Sequence, residues 1–471
     1  MSSAPPFKVL ASRLEREPLW RLELSDPDLD LRTPSSSKVA EFLRNAYPDL
    51  YLRSSLSNFK LWFNRFSRNY PLTYAAILQA ARVRDLRNRA KRALVSRLLS
   101  NPNSPSTKSA IRTLWESIPV YIVSRLSAPY PPKGSWIVDH DPIWDVWYNH
   151  LQHGKQPDIR IGRKPMMRVD STALQFNLGP EQSGRFNEAD GTPVMMAIRD
   201  FCSVVEIVSW VNDIVLRNVA CQRNVRKEDA GCIVICGWSA GSRSKPAFDF
   251  VRNFLSSKSD DEKHSLRYEA ASAFALFWNM ICALGPDEVL SDIEHFLSTS
   301  NIYGMDADLH AGGTENIYTI PINGLPITFR DARMAPPSGV FARNYARAVH
   351  NEVQPHKWSI AWTTFRASIN KELGGHFYNS DYGIRIRSAT NTAVFWQPKH
   401  FHGTSLQDIP PSEKGGPVIQ SGLSIVTSPR LPAIFDKFIQ GTLAENQLVR
   451  ACFTSDEDLL ADQIGHSLSL T

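Results

Sequence analysis

Cysteine is scarce, with six in 471 residues, which is too few for a disulfide framework in a chain of this length and fits a reducing compartment. Cys232 and Cys236 sit in the apolar run Gly-Cys-Ile-Val-Ile-Cys, where a strand would point both to one face, a core pattern. No second Cys or His pair supplies the spacing of a zinc site. Long hydrophobic runs are also missing. The most apolar stretch, 272–285, is too short to cross a bilayer and contains Trp278 and Asn279, so a buried helix is its expected fate. The first residues, Met-Ser-Ser-Ala-Pro-Pro-Phe, lack the apolar core of a secretion signal. The expectation is a nuclear or cytoplasmic protein that is neither secreted nor anchored in a membrane. Charge of one sign is not strong either: 53 Lys and Arg against 47 Asp and Glu leave a net +6. That excess fits a nucleic-acid binder, an enzyme for anionic substrates, or neither.

Aromatic bulk is present, with 12 Trp and 23 Phe, enough for a substantial interior. The length favours two or three domains. Residues 1–35 are rich in Pro, Asp and Ser and are expected to be a flexible N-terminus. Residues 36–128 show helical spacing. Within them Arg82, Arg84, Arg87, Arg89, Lys91 and Arg92 alternate with Val83, Leu86, Ala90 and Leu94 at intervals of three and four, the pattern of an amphipathic helix with a basic face. Residues 129–300 are expected to be mixed and mainly helical, with helices over 194–219 and 265–284, a short strand at 232–236, and a helix opened by Pro286. From 301 to 440 the segments become short and punctuated by Gly, Pro and Asn. Tyr382-Gly-Ile-Arg-Ile-Arg alternates with period two, as a two-faced strand does. A tail, 441–471, follows. The fold class expected is α+β, helical in its N-terminal part and β-rich in its C-terminal third.

Three residues of the β-rich part can make a chemical site. His350 and Glu352 stand two apart, so on a strand they share a face; His402 comes after the strand at 392–396 and a turn through Pro398. Two imidazoles and a carboxylate on one face of a metal ion form the ligand set of non-haem Fe(II) oxygenases, leaving three positions for a 2-oxo acid and oxygen. The distal carboxylate of 2-oxoglutarate would then need a cation, for which Arg385 and Arg387, on one strand face, and Arg430 are candidates. His376 and His400 compete as ligands. The alternative for His350 and Glu352 is a surface hydrogen bond, with His402 capping a turn.

Residues 374–386, Gly-Gly-His-Phe-Tyr-Asn-Ser-Asp-Tyr-Gly-Ile-Arg-Ile, and 391–405, Asn-Thr-Ala-Val-Phe-Trp-Gln-Pro-Lys-His-Phe-His-Gly-Thr-Ser, resemble the second half of a double-stranded β-helix (jelly-roll, cupin-like) oxygenase. A paired-Gly turn, a strand, a second strand and a distal His follow one another in that family's order. Asn344-Tyr-Ala-Arg-Ala-Val-His-Asn-Glu stands where its His-x-Asp/Glu belongs. The branch it resembles is the TET/JBP-like oxygenases, over roughly 300–440. The resemblance implies Fe(II) and 2-oxoglutarate as cofactors, held by His350, Glu352 and His402, and oxidation of methylated bases in DNA or RNA, which the basic helix would help to hold. Two departures stand out: Glu352 replaces the usual Asp, and Gly422 occupies the last-strand position of the Arg that binds the co-substrate. The second departure leaves the role to Arg430, Arg385 or Arg387, or implies a catalytically degenerate binding or structural protein.

A rival signal is Gly237-Trp-Ser-Ala-Gly, a Gly-x-Ser-x-Gly match directly after an apolar strand, the setting of a serine hydrolase nucleophile at Ser239. The mainly helical pattern upstream lacks the parallel strands such an elbow needs, and a Gly-rich turn after a buried strand is the plainer expectation.

Overall fold

In the computed structural model the described residues are 118–443 with Arg16, apart from 156–161, 203–204, 243–244, 252, 256, 306–317, 323–324, 330–333, 368–371 and 412–415; of 318–329 the backbone alone is described. In chain order the elements are β1 (Val120–Ile122), β2 (Trp136–Val138), α1 (Asp141–His153), β3 (Met166–Arg168), β4 (Phe176–Leu178), β5 (Gly184–Asn187), β6 (Pro193–Ile198), α2 (Val205–Cys221), β7 (Ala230–Gly241), β8 (Pro246–Phe250), α3 (Asp260–Leu284) and α4 (Asp287–Ser300). Then come β9 (Tyr318–Ile322), β10 (Leu325–Phe329), β11 (Ser338–His350), β12 (Ser359–Arg366), β13 (Phe377–Asn379), β14 (Ile384–Ile386), β15 (Thr392–Trp396), β16 (His402–Thr404), β17 (Gln420–Ile425) and α5 (Leu431–Ile439). Two compact units divide the chain, 1–102 with 314–332 and 103–313 with 333–471. Of the first, the described part besides Arg16 is the antiparallel hairpin β9–β10.

The second unit is mixed α+β, built on a large curled sheet of 13 strands in the order β1-β5-β6-β15-β12-β17-β11-β16-β13-β14-β4, with β7 pairing β11 and β8. The curl is made on β11. Its first half pairs with β17 and β7; a register shift follows Arg343, and the second half pairs with β16. The break falls at Asn344, whose φ of 51° is a left-handed conformation that Asn tolerates better than most residues. Its side chain replaces the lost ladder bonds: Oδ1 accepts from the backbone N–H of Ile419 at 2.7 Å and of Gln420 at 3.0 Å, and Nδ2 donates to the Pro417 carbonyl at 2.9 Å. By bending there, β11 leaves one ladder and delivers His350 opposite His402 on β16.

Aromatic packing holds α3 against the sheet. Phe274 stacks on Phe341 with centroids 5.0 Å apart, and Phe277 on Trp362 at 5.5 Å. Trp362 is wholly buried, a burial worth about 2–3 kcal/mol. Helix α3 opens with a capping box, Ser259 and Glu262 each satisfying the other's backbone N–H. Pro286 caps α4, which buries Val289, Ile293 and Phe296 as the sequence spacing implies. Asp292 of α4 then accepts from the backbone N–H groups of Lys357 and Trp358 at 2.7 and 3.0 Å, fixing the entry to β12.

One expectation needs correction. The helix expected over 194–219 is a strand, β6, followed by a shorter helix, α2. Val194-Met-Met-Ala-Ile is a continuous apolar run that pairs with β5 and β15 and is buried throughout, and continuous runs carry no period that distinguishes strand from helix. The region 129–300, expected to be mixed and mainly helical, holds α1–α4 together with β2–β8, and five of these strands, β4–β8, belong to the same sheet as β11–β17. Among the described residues no helix is long and apolar enough to cross a membrane.

Candidate metal centre

His350 ends β11, Glu352 follows it in the connecting segment, and His402 opens β16. One ligand atom from each lies within 4.8 Å of the other two. The imidazole rings of His350 and His402 are 4.4 Å apart between centroids. Glu352 and His402 are buried and the His350 side chain is 13% exposed, and Phe377 and Trp396 stand beside His402, each with centroids 5.9 Å away.

The hydrogen bonds decide which atoms are free to bind. His350 Nδ1 lies 2.8 Å from the Ala348 carbonyl, and His402 Nδ1 lies 2.8 Å from the His400 carbonyl. A carbonyl oxygen can only accept, so both rings carry their proton on Nδ1 and present a lone pair at Nε2. His350 Nε2 is 3.1 Å from Glu352 Oε1. Burial, with the neighbouring charges of Arg347 and His402, pushes His350 down to about 3. Burial also lowers His402, against the raising effect of Glu352. For Glu352 burial acts upward, but the contact with His350 and the charge of Arg347 outweigh it and hold the carboxyl at about 2. At neutral pH the contact therefore brings together an imidazole lone pair and a carboxylate oxygen with no proton between them. Two acceptors face one another at this contact, a donor set that a metal ion can join through both Nε2 atoms and the carboxylate.

A support network fixes the carboxylate. Arg347 donates to Glu352 Oε1 and approaches Asp229 Oδ2 at 3.5 Å. Tyr345 donates its hydroxyl to the same Asp229 oxygen at 2.6 Å. Tyr345 and Arg347 fall two apart on β11, so they share its face. Their period-two spacing within Asn344-Tyr-Ala-Arg-Ala-Val-His is the sequence signal that marks them, although nothing local names Asp229 as their partner.

The cluster borders a cavity of about 170 Å³ inside the curl of the sheet. Its walls are largely apolar, among them Trp362, Phe377, Ile386, Val394 and Trp396. Such a pocket, with a few converging polar groups, suits a small ligand.

The three arginines considered for the co-substrate do not line it. Arg385 donates to Asn177 at 2.8 Å, Asp139 at 3.2 Å and the Tyr378 hydroxyl at 3.4 Å. Arg387 pairs with Glu372. Arg430 donates to the carbonyls of Gly241 at 3.0 Å and Ser242 at 3.2 Å. Gly422 does line the cavity, and a Cβ there would lie 2.3 Å from the Trp362 carbonyl oxygen, so no side chain fits at that position. The competing histidines are engaged differently. His376 accepts from the Ser388 backbone N–H at 3.0 Å, and His400 packs against Tyr382 with centroids 5.2 Å apart.

Ser239 is corrected as a nucleophile candidate. The strand expected at 232–236 continues through the Gly-Trp-Ser-Ala-Gly motif to Gly241, so the motif forms neither an elbow nor a turn. Ser239 is fully buried, pairs in register with Asp249 of β8, and its Oγ accepts from the Gly241 N–H at 3.1 Å. Arg82, Arg84, Arg87, Arg89, Lys91 and Arg92 lie outside the described residues.

No family model matches the sequence, and no curated protein matches it. Solved structures similar to it include NgTET1 in complex with 5mC DNA, at 10% identity and a TM-score of 0.31, with 53% of this chain and 76% of that one covered. Another is the collagen prolyl hydroxylase vCPH of Paramecium bursaria Chlorella virus-1 in its 2OG complex, at 10% identity and a TM-score of 0.22, covering 50% of this chain and 94% of that one.

Proposed function

We propose that His350, Glu352 and His402 hold Fe(II), and that the protein is a 2-oxoglutarate-dependent oxygenase of double-stranded β-helix type acting on methylated bases in nucleic acid. The observation that carries this reading is the 3.1 Å contact between His350 Nε2 and Glu352 Oε1, two acceptors with His402 completing the cluster. Two imidazoles and one carboxylate fit iron of this type and leave open positions for a chelating 2-oxo acid. When bound, iron would activate O₂, the oxidant, with 2-oxoglutarate giving up two electrons as it loses CO₂ and the methyl group of the substrate giving up the other two.

This chain's residues do the rest. The carbonyls of Ala348 and His400 hold the two rings with Nε2 toward the site. Arg347 keeps Glu352 ionised and in place. Phe377 and Trp396 keep bulk water from the reacting centre. The nucleic-acid substrate rests on the sequence resemblance and on the basic segment 82–92. The test is 2-oxoglutarate turnover by wild type and His402→Ala on DNA and RNA carrying methylated bases. Substrate-stimulated turnover in wild type alone is expected, and equal background rates in both would refute the reading.

A second reading, a degenerate β-helix that binds without catalysis, is favoured by one observation: Arg385, Arg387 and Arg430 are all engaged away from the cavity. It predicts no metal-dependent 2-oxoglutarate binding.

A further inference from the structure

The connection from β15 to β16 presents His402, and it is tied to the segment that carries the other two candidate ligands. Glu352 donates its backbone N–H to the Pro398 carbonyl at 2.8 Å, and Asn351 Nδ2 donates to the Lys399 carbonyl at 3.5 Å. The side chains of this connection take no part in the metal cluster. His400 is 5% exposed, yet its Nδ1 is buried with no hydrogen-bond partner. Its fixed neighbour is the Tyr382 ring, an edge contact that satisfies neither nitrogen. A buried imidazole left this way is uncommon.

Cations surround it. Lys399 precedes it in the chain, Arg125 follows β1, and Lys357 stands at the entry to β12. Burial, with the charges of Lys399, Arg125, His402 and Lys357, pushes His400 down to about 3, so at neutral pH the ring is neutral and keeps one N–H to donate. Lys133 extends the group, with Nζ 5.4 Å from the centroid of the half-buried Phe401 ring. Two carboxylates beside these cations are engaged: Asp381 pairs with Arg125 at 2.8 Å, and Asp292 accepts from the backbone N–H groups of Lys357 and Trp358. Lys133, Lys357 and Lys399 are exposed and form no ion pair among the described residues.

Resting on the function proposed above, we infer that this corner is the phosphate-binding surface for the substrate strand: His400, Lys399 and Lys357 take a backbone phosphate beside the nucleotide presented to the metal, and Lys133 takes an adjoining one. A phosphate supplies both things the corner is short of, an acceptor for the imidazole and counter-charge for the lysines. The cations come from three separate stretches of chain, a spread that matches a row of phosphates better than a single small anion. Two residues separate His400 from His402, at most about 7 Å between their Cα atoms, so the contact lies beside the metal ligands themselves. Phosphate contacts position a strand without reading its sequence, and the choice of base is left to the cavity.

The test uses full-length protein loaded anaerobically with Mn(II), titrated with labelled DNA and RNA oligonucleotides, methylated and unmethylated, over a range of salt concentrations. Lys399→Ala and Lys357→Ala should each weaken binding by a similar factor for every sequence and lower the slope of log affinity against log salt by about 1. Lys437→Ala, which removes an exposed lysine from the last turn of α5, should change neither. His400→Phe keeps a ring against Tyr382 and should weaken binding about 10-fold with the slope unchanged. Both lysines are exposed, so their variants decide even if the His400 variant does not fold. An unchanged slope in both lysine variants would overturn the inference. So would displacement of the oligonucleotide by inorganic phosphate or polyglutamate as effectively as by unlabelled strand, which would make the corner a site for free anions or acidic peptide. Mn(II) binding without nucleic-acid binding would overturn it and leave the metal centre standing. Strand binding that the lysine variants weaken, in a protein that holds no Mn(II), would uphold the surface and sink the oxygenase.

Discussion

At 237–241 and at 350–402 the chain presents residues that resemble known catalytic motifs, and the two corners are built in opposite ways. Around Ser239 the protein answers its own polar atoms: the hydroxyl accepts from Gly241, and Arg430 closes the end of β7 on two carbonyls. Around His350 it does not. Both rings are fixed by Nδ1, Arg347 and Asp229 anchor the carboxylate from behind, and Nε2 of His350 is left against a carboxylate oxygen. A motif whose polar atoms are matched internally has nothing to offer a ligand. The informative feature is a buried group held in position and left without its complement.

The largest effect should come from turning the second corner into the first. Glu352→Gln gives His350 Nε2 an amide donor, so the cluster is satisfied without a cation. Metal affinity should fall about 100-fold or more, while the melting temperature of the metal-free protein should not drop. A variant that binds metal as wild type does would break the comparison.

Next comes the anchor. Arg347→Met leaves the buried carboxylates of Glu352 and Asp229 without their shared cation, and removing one partner of a buried pair costs about 3–5 kcal/mol. Denaturant unfolding of the metal-free protein measures it, and a loss under about 1 kcal/mol would show that the network adds little.

A buried histidine close by in sequence sharpens the contrast. His356 is satisfied on both sides: Nδ1 donates to the Trp358 carbonyl at 2.6 Å, and Nε2 accepts from Thr427 Oγ1 at 2.9 Å. Burial lowers it to about 4, below the ordinary value of about 6.5 that it has when unfolded. The unfolded chain therefore takes up the proton first. The stability tied to this ring is complete above about pH 6.5 and is lost as pH falls toward about 4, by up to about 1.4 kcal/mol per pH unit. His350, His400 and His402 act in the same direction, so the measurement is the slope of unfolding free energy against pH in wild type and His356→Gln. The variant should be shallower over that window, and an unchanged slope would contradict the assignment.

The smallest effect belongs to Ser239→Ala, which should cost about 1 kcal/mol for one lost hydrogen bond. Neither protein should react with a fluorophosphonate probe; labelling of wild type at Ser239 would reverse the reading of that corner.

How far the sequence could be read followed from which signals are local. The strand at 392–396 and the convergence of His350, Glu352 and His402 could be anticipated from motif order. Strand β6 could not, because an apolar run such as Val194-Met-Met-Ala-Ile looks the same in a buried strand and a buried helix. Nor could the extension of β7 through Gly237, which looks like a turn until it pairs with Ser338. The partner that gives the site its character is distant in sequence: Asp229 meets Tyr345 and Arg347. Asn344 shows why such pairs escape a linear reading. Its left-handed backbone is a local property, but the curl it makes, which brings β16 alongside the end of β11, exists only once the sheet has formed.

The account turns on His350, Glu352 and His402 holding one metal ion together, and anaerobic titration of the purified full chain with Fe(II) or Mn(II) tests that most directly. One ion per chain in wild type, and none in His402→Ala at the same metal concentration, is the predicted result. No stoichiometric binding in wild type, or equal binding in both proteins, would contradict it.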